Sequence, residues 1–228
     1  MIGYINGLLD DSQSVLITLE IPDDAITNIN RPNIKFNDFA THYCNKAKVI
    51  DITDSNNNKL EKCNRYVFIK HPDTYSINEY IETDYNGSSI ECKKLIQFNL
   101  SKEPLKLIMD NNREGIYYLY NKDGSVERTS EYKNNKLNGK TIIFKERDCY
   151  IEQIYNDDEI VETLFYNENN ELFNGIHSEY YPNGELACKK KFINGKLNDT
   201  TYYYGLNGDI IAKMNYKDNE LVDKVIEY

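Results

Sequence analysis

The chain has 228 residues, 40% of them hydrophobic, which suits one large or two small domains with a sizeable core. It carries 37 Asp and Glu against 27 Lys and Arg, a formal charge of −10. That balance excludes a nucleic-acid backbone as the main partner, because such affinity comes from Lys and Arg neutralising phosphates, and it favours basic or neutral partners.

The first half, through about Leu107, shows no period and reads as a compact α+β or mostly β module. Val15-Leu16-Ile17-Thr18-Leu19-Glu20-Ile21 is a β-branched run stopped by Pro22. Asp38-Phe39-Ala40-Thr41-His42-Tyr43-Cys44 is expected as a short helix. Lys46–Ile52 alternates cleanly before an Asn-rich turn at residues 55–58 and predicts a second strand. Asn64–Ile69 predicts a third, ended by His71-Pro72. Ser101-Lys102-Glu103-Pro104 followed by Leu105–Met109 predicts a capped helix leading into the second half.

Beyond residue 107 the chain repeats with a period of 24. With Gly115, Gly139, Gly175 and Asp199 in register, Gly124, Gly184 and Gly208 fall nine positions later, in Asp123-Gly124, Asn183-Gly184 and Asn207-Gly208. Such dipeptides between alternating segments predict β-hairpins with two-residue type I′ turns. The incoming strands align Tyr118 and Tyr120 with Ile142 and Phe144, Ser178 and Tyr180, and Tyr202 and Tyr204, an aromatic stripe on one face. The outgoing strands align Ser130, Lys190 and Met214, and likewise Tyr132, Phe192 and Tyr216, giving a second apolar row. A second turn, read in Asn135–Gly139, Gly195–Asp199 and Asn219–Asp223, links one hairpin to the next. Gly139–Glu162 lacks its turn glycine and Thr163–Asn174 looks truncated. Val225-Ile226-Glu227-Tyr228 reads as a half-repeat closing the last edge.

These residues resemble the MORN-type repeats, in the short variant that reads Gly-x-x-x-Tyr-Tyr-x-Asn-Gly, then a strand, then Asn-Gly-Lys-Leu-Asn-Gly. Gly175–Asp199 and Gly115–Gly139 carry the resemblance, which covers about half the chain. It implies a single-layer solenoid of stacked antiparallel hairpins that bury a core by packing on their neighbours. The first half resembles an N-terminal domain seen in repeat proteins of mimivirus-like giant viruses, on "GLLDDSQSVLITLEIPDDA", "CNKAKVIDI" and "ECKKLIQFNLSKEP". In the last motif that family tends to place glycine and histidine where this chain has Leu95 and Gln97, so a family histidine with a chemical role is lost here. The resemblance implies a viral source and a boundary near residue 107, and no reaction. The Asn- and Lys-rich, Trp-free composition is read as a mark of AT-rich codons.

No catalytic constellation emerges. His42, His71 and His177 lie in no nucleophile or metal spacing, and His177 is expected on a solvent-side position. His42 with Cys44 would face one another only on a strand, and a dyad also needs an orienting group and a cleft. Five cysteines, Cys44, Cys63, Cys92, Cys149 and Cys188, fit neither a disulfide framework nor a zinc site and are read as reduced thiols. Asp10-Asp11, Asp23-Asp24 and Asp157-Asp158-Glu159 lack the pattern of a calcium loop and are read as solvated turns. The Lys189-Lys190-Lys191 run alternates between strand faces, which speaks against a membrane footing.

No cofactor and no metal is implied. Met1-Ile2-Gly3-Tyr4 is no leader, no segment approaches the roughly 18 apolar residues of a membrane span, and the expected compartment is the cytoplasm. The expectation is therefore a mainly β, non-enzymatic protein, residues 1–107 followed by hairpin repeats over 108–228, binding a viral or host protein partner through Tyr118, Tyr180 and Tyr202. The alternatives are an enzyme or degenerate enzyme in the first half, with a pocket lined by His42, Cys44 and Cys92, an antitoxin-like neutralising binder, or a virion component.

Overall fold

The computed structural model describes residues 1–9, 13–65, 74–83, 95–145 and 149–226. The protein is mainly β and divides into two compact units, Met1–Asn135 and Lys136–Tyr228.

In the first unit β1 (Ile2–Leu9) and β2 (Gln13–Glu20) form an antiparallel hairpin, from Ile2 opposite Glu20 to Leu9 opposite Gln13. The predicted strands at Val15–Ile21 and Lys46–Ile52 are β2 and β4 (Lys46–Thr53), which pair with each other. The other edge of β1 is shared by β8 (Ile96–Asn99) near Tyr4 and β5 (Lys62–Arg65) at Gly7 and Leu8. With β3 (Thr41–Cys44), β6 (Thr74–Ser76) and β7 (Tyr80–Glu82) this sheet has eight strands and curls into a half-barrel. Period-two alternation drives it: Val15, Ile17 and Leu19 of β2 are fully buried and meet Val49, Ile52 and Phe98 in one core. Each such side chain contributes about 1.5–3 kcal/mol of burial. A Cβ on Gly3 would lie 2.6 Å from the Phe98 ring, and one on Gly7 2.8 Å from Ile17 and 2.9 Å from the Cys63 sulfur, so β1 needs both glycines for its close approach.

Residues 38–44 do not form the expected helix. A turn over 37–40 leads into β3, whose Thr41 to Cys44 pair with Asn99 to Ile96 of β8. His42, Tyr43 and Cys44 are all buried, so the segment is enclosed by both sheet faces, and long-range ladder bonds replace helical ones. Of the strand expected at 64–69, β5 holds its first two residues; the rest, with His71-Pro72, lies outside the described residues. The predicted helix is a 3₁₀ turn (Glu103–Leu105) running into α1 (Lys106–Met109), with Ser101 Oγ accepting from the Glu103 N–H at 3.2 Å.

The first hairpin, β9 (Gly115–Tyr120) and β10 (Val126–Lys133), belongs to this unit. Its loop is gripped by residues 31–41: Lys35 and Phe36 N–H groups donate to Asp123 O (2.9 and 3.1 Å), Thr41 N–H to Lys122 O (3.2 Å), and Arg31 Nη2 to Lys122 O (2.9 Å) and Thr41 O (2.7 Å). Phe39 stacks on Tyr120 at 4.9 Å. Residue 107 thus marks where the period begins, and the compact unit extends 28 residues beyond it, to Asn135.

The second unit holds a meander of β11 (Lys136–Phe144), β12 (Tyr150–Asn156) and β13 (Glu159–Tyr166), then the five-stranded meander β14 (Gly175–Tyr180), β15 (Leu186–Ile193), β16 (Lys196–Tyr204), β17 (Ile210–Lys217) and β18 (Glu220–Ile226). Of the half-repeat expected at Val225–Tyr228, Val225 and Ile226 end β18, and Glu227 and Tyr228 lie outside the described residues.

The turns correct the sequence reading. Asp123, Asn183 and Asn207 keep negative φ, and only the following glycine is left-handed (φ 85°, 87°, 83°). Residue 121 donates to the carbonyl of 125, and 124 to that of 121, a pattern repeated at 181–185 and 205–209. These are three-residue loops, a type I turn followed by a left-handed residue, each carrying a side-chain bond from Asp or Asn to the N–H two residues on. The two-residue turns with positive φ at both positions are the linkers Asn134-Asn135, Asp157-Asp158, Asn194-Gly195 and Asp218-Asn219. The truncated repeat keeps the three-residue loop, with Asn170 (φ 61°) in the glycine's place, but its outgoing strand shrinks to one bridge, Tyr166 to Leu172. The four residues that define the period, Gly115, Gly139, Gly175 and Asp199, all have positive φ (85°, 104°, 145°, 67°), which is why glycine recurs there.

Candidate partner-binding face

Each hairpin strand has one sheltered and one open side, and one residue of offset decides which. Tyr117, Thr141 and Thr201, at equivalent repeat positions, are buried, as are Ser130, Phe165 and Cys188 on the same side of their strands. Tyr118, Tyr180 and Tyr202, one residue further along or three, point the other way. Tyr180 is 63% exposed and Tyr118 37%, while Tyr202 is half-buried. Tyr118 pairs with Thr129, whereas Ser130 sits opposite Tyr117, so the two predicted apolar rows lie on opposite faces of the hairpin.

On the open side of the first unit, Tyr118 stacks on Tyr120 at 6.2 Å, and Tyr120 is in turn covered by Phe39. In the second unit Tyr202 lies between Lys189 of β15 and Lys213 of β17, its cross-strand neighbours. A shallow depression of about 160 Å³ beside it is lined by Ile176, Lys189, Lys191, Thr200 and Tyr202. Tyr180 and Tyr202 therefore share one sheet; Tyr118 belongs to the other unit. Lys190 points to the sheltered side, as alternation requires, and meets Glu179 at 2.7 Å.

Two members of the aromatic side escaped the alignment. Tyr150 stands opposite both Phe144 and Tyr166, stacked on Tyr166 at 4.7 Å and 9°. The signal that finds them is the loop start, which moves from 145 to 167, 22 residues instead of 24, so a two-residue slip restores the register.

The sheltered side of the second unit carries the densest polar cluster. Cys188 donates to Glu179 Oε2 at 3.2 Å, and His177 Nε2 lies 3.9 Å from Oε1. His177 is not solvent-side as expected: its ring sits edge-on to Phe165 at 5.1 Å, within a cluster completed by Phe173 and Phe192. Partial burial works to raise the Glu179 carboxyl, but hydrogen bonds from Lys190 and Cys188 and the neighbouring positive charge outweigh it and hold it below the usual range. Burial, reinforced by the Glu179 bond, pushes the Cys188 thiol up to about 11. A thiol in that state is no nucleophile at neutral pH.

His42 and Cys44 do share a strand, two residues apart. Both are fully buried; His42 Nε2 lies 2.8 Å from Asn37 O, and burial lowers its pKa and raises that of Cys44 to about 12. A cavity of about 430 Å³ in the first unit is walled by Leu16, Thr53, Asp54, Lys102, Lys106 and Asp110, and by neither of them. Cys63 is likewise pushed to about 12 by burial, and Cys92 lies outside the described residues.

Asp10-Asp11 also lies outside the described residues. Asp24 is hydrogen-bonded to Lys46, and Asp158 accepts the Leu137 N–H at 2.7 Å, so these acids serve turns and ion pairs. Among the described residues no group of His, Cys, Asp and Glu is placed to hold a metal ion, and no helix is long and apolar enough to cross a membrane. No family model matches the chain, and no curated protein matches it.

Proposed function

We propose that the protein is a non-enzymatic interaction protein whose C-terminal hairpins form a MORN-like ribbon and bind another protein through the open aromatic side. The observation that carries this reading is the split of the repeat into a buried row at Tyr117, Thr141 and Thr201 and an open row at Tyr118, Tyr180 and Tyr202. If the tyrosines were there to fill the core they would occupy the sheltered row, where the four equivalent positions hold Tyr117, Thr141, His177 and Thr201. Tyrosine gives large, rigid, amphipathic contact area of the type enriched in interfaces. The −10 charge favours a basic or neutral partner over nucleic acid, and the cysteine pattern supports a reducing, cytoplasmic setting. The resemblance of the first half to giant-virus proteins makes a viral or host protein the partner to seek.

The test is affinity capture with tagged wild type and with a Tyr118→Ser, Tyr180→Ser, Tyr202→Ser variant. Loss of a specific partner from a variant that keeps its circular dichroism supports the reading. An unchanged partner set moves the binding site elsewhere.

A further inference from the structure

The truncated repeat leaves a strand edge open. After the loop at 167–171 the outgoing strand is reduced to a single bridge, and among the described residues no strand pairs with the far side of β14, which ends its sheet. Which backbone groups face that side follows from the hairpin. Tyr181 donates across the loop to Glu185 O, so by alternation Glu179, His177 and Gly175 direct their N–H and C=O groups to β15. Those of Ile176, Ser178 and Tyr180 point outward, and among the described residues no turn or loop hydrogen bond reaches them. Ile176 and Tyr180 are 65% and 63% exposed.

We propose that this edge pairs with β14 of a second copy of the chain, antiparallel about a twofold axis at Ser178. The occupant is argued from self-complementarity. With Ser178 opposite itself, Ile176 faces Tyr180 of the partner twice on the open side, and His177 faces Glu179 of the partner twice on the other, an apolar pair and an imidazole–carboxylate pair. The parity agrees: Ser178 and the two Ile176/Tyr180 pairs are hydrogen-bonding positions, and the His177/Glu179 pairs fall at the closer, non-hydrogen-bonded ones. A closed, isologous dimer results, with both open faces on the same side. The contact is one six-residue strand per chain, below the area of stable complexes, so the dimer is weak and concentration-dependent. This inference does not depend on the partner reading above, although it shares Tyr180 with it.

Sedimentation velocity of the full chain over a wide concentration range tests it. Wild type shifts from monomer toward dimer as concentration rises. Ser178→Pro removes only an outward N–H, a place where an edge strand accepts proline, and should stay monomeric with an unchanged circular dichroism spectrum. Ile176→Asp, which leaves the backbone intact, should weaken association tenfold or more. Register is read by Ser178→Cys, whose Cα atoms would stand about 5.5 Å apart and so close a disulfide across the axis. Oxidation should give a covalent dimer that wild type and Ile176→Cys do not form. A wild type that is monomeric throughout, or a dimer that survives Ser178→Pro and Ile176→Asp, overturns the proposal.

Discussion

Replacing Gly124 by alanine tests how the first hairpin is held, because Gly184 and Gly208 occupy the same loop position and supply a matched control. All three glycines have φ between 83° and 87°, so each alanine incurs the same left-handed backbone cost, about 1–2 kcal/mol. Around Gly184 and Gly208 an added Cβ meets nothing within 4 Å. At Gly124 it would lie 2.0 Å from Phe36 O and 3.0 Å from Ala40 N, both backbone atoms. Relief requires the loop to withdraw from residues 31–41, which forfeits the bonds from Lys35, Phe36, Thr41 and Arg31 to the Lys122 and Asp123 carbonyls. At about 1 kcal/mol net for each of these four bonds, added to the backbone cost, the total for Gly124→Ala is about 5–6 kcal/mol. Urea unfolding followed by circular dichroism and tyrosine fluorescence measures the series; the chain has no Trp to complicate the signal. If Gly124→Ala costs no more than Gly208→Ala, the grip on the hairpin loop is wrong.

Three further outcomes follow from particular contacts. Asp199→Gly should be neutral to mildly stabilising, since it relieves a φ of 67° and gives up an exposed ion pair with Lys191 and an exposed bond from the Thr200 N–H, whereas Asp199→Val should be destabilising; thermal melts rank the pair. Alkylation of native protein at pH 8 should leave Cys44, Cys63 and Cys188 unmodified until urea is added, read by mass spectrometry, because burial holds all three thiols far above that pH. Glu179 has a depressed carboxyl, so its stabilisation is present above the ordinary Glu value of 4.5 and disappears as pH falls through the lower folded value. Urea midpoints of Glu179→Gln should therefore fall less steeply than wild type on acidification below about pH 5, and a parallel decline refutes that assignment.

Period and alternation made β2, β4 and the hairpins that keep their turn glycine legible, because these depend on local chemistry: apolar residues two apart, and Asn, Asp or Gly where φ must be positive. The loop lengths were not legible. Asp123-Gly124 and Asn134-Asn135 are both competent for a two-residue turn, and only strand pairing on either side decides which one closes in two residues and which in three. β1 escaped because Gly3 and Gly7 weaken its strand signal, and the reason for them, the Phe98 ring and the Cys63 sulfur, comes from far along the chain. The strand that holds His42 and Cys44 was not legible, because their partners in β8 lie more than fifty residues away. At the candidate face, Tyr118, Tyr180 and Tyr202 could be aligned, but not which side of each hairpin is buried, because alternation gives two rows and only packing assigns them to core or solvent.

The claim that the open row binds a protein is tested most directly by titrating the captured partner against two variants. One is the Tyr118, Tyr180, Tyr202 triple serine variant, and the other carries Tyr155→Ser and Tyr203→Ser on the opposite side, where Tyr155 stands across from Gly139 and Tyr203 from Cys188. Loss of three interface tyrosines worth about 1 kcal/mol or more each predicts a Kd weaker by about a hundredfold or more for the first, with the second close to wild type. Equal affinity for the triple variant and wild type, or a loss confined to the opposite side, contradicts the account.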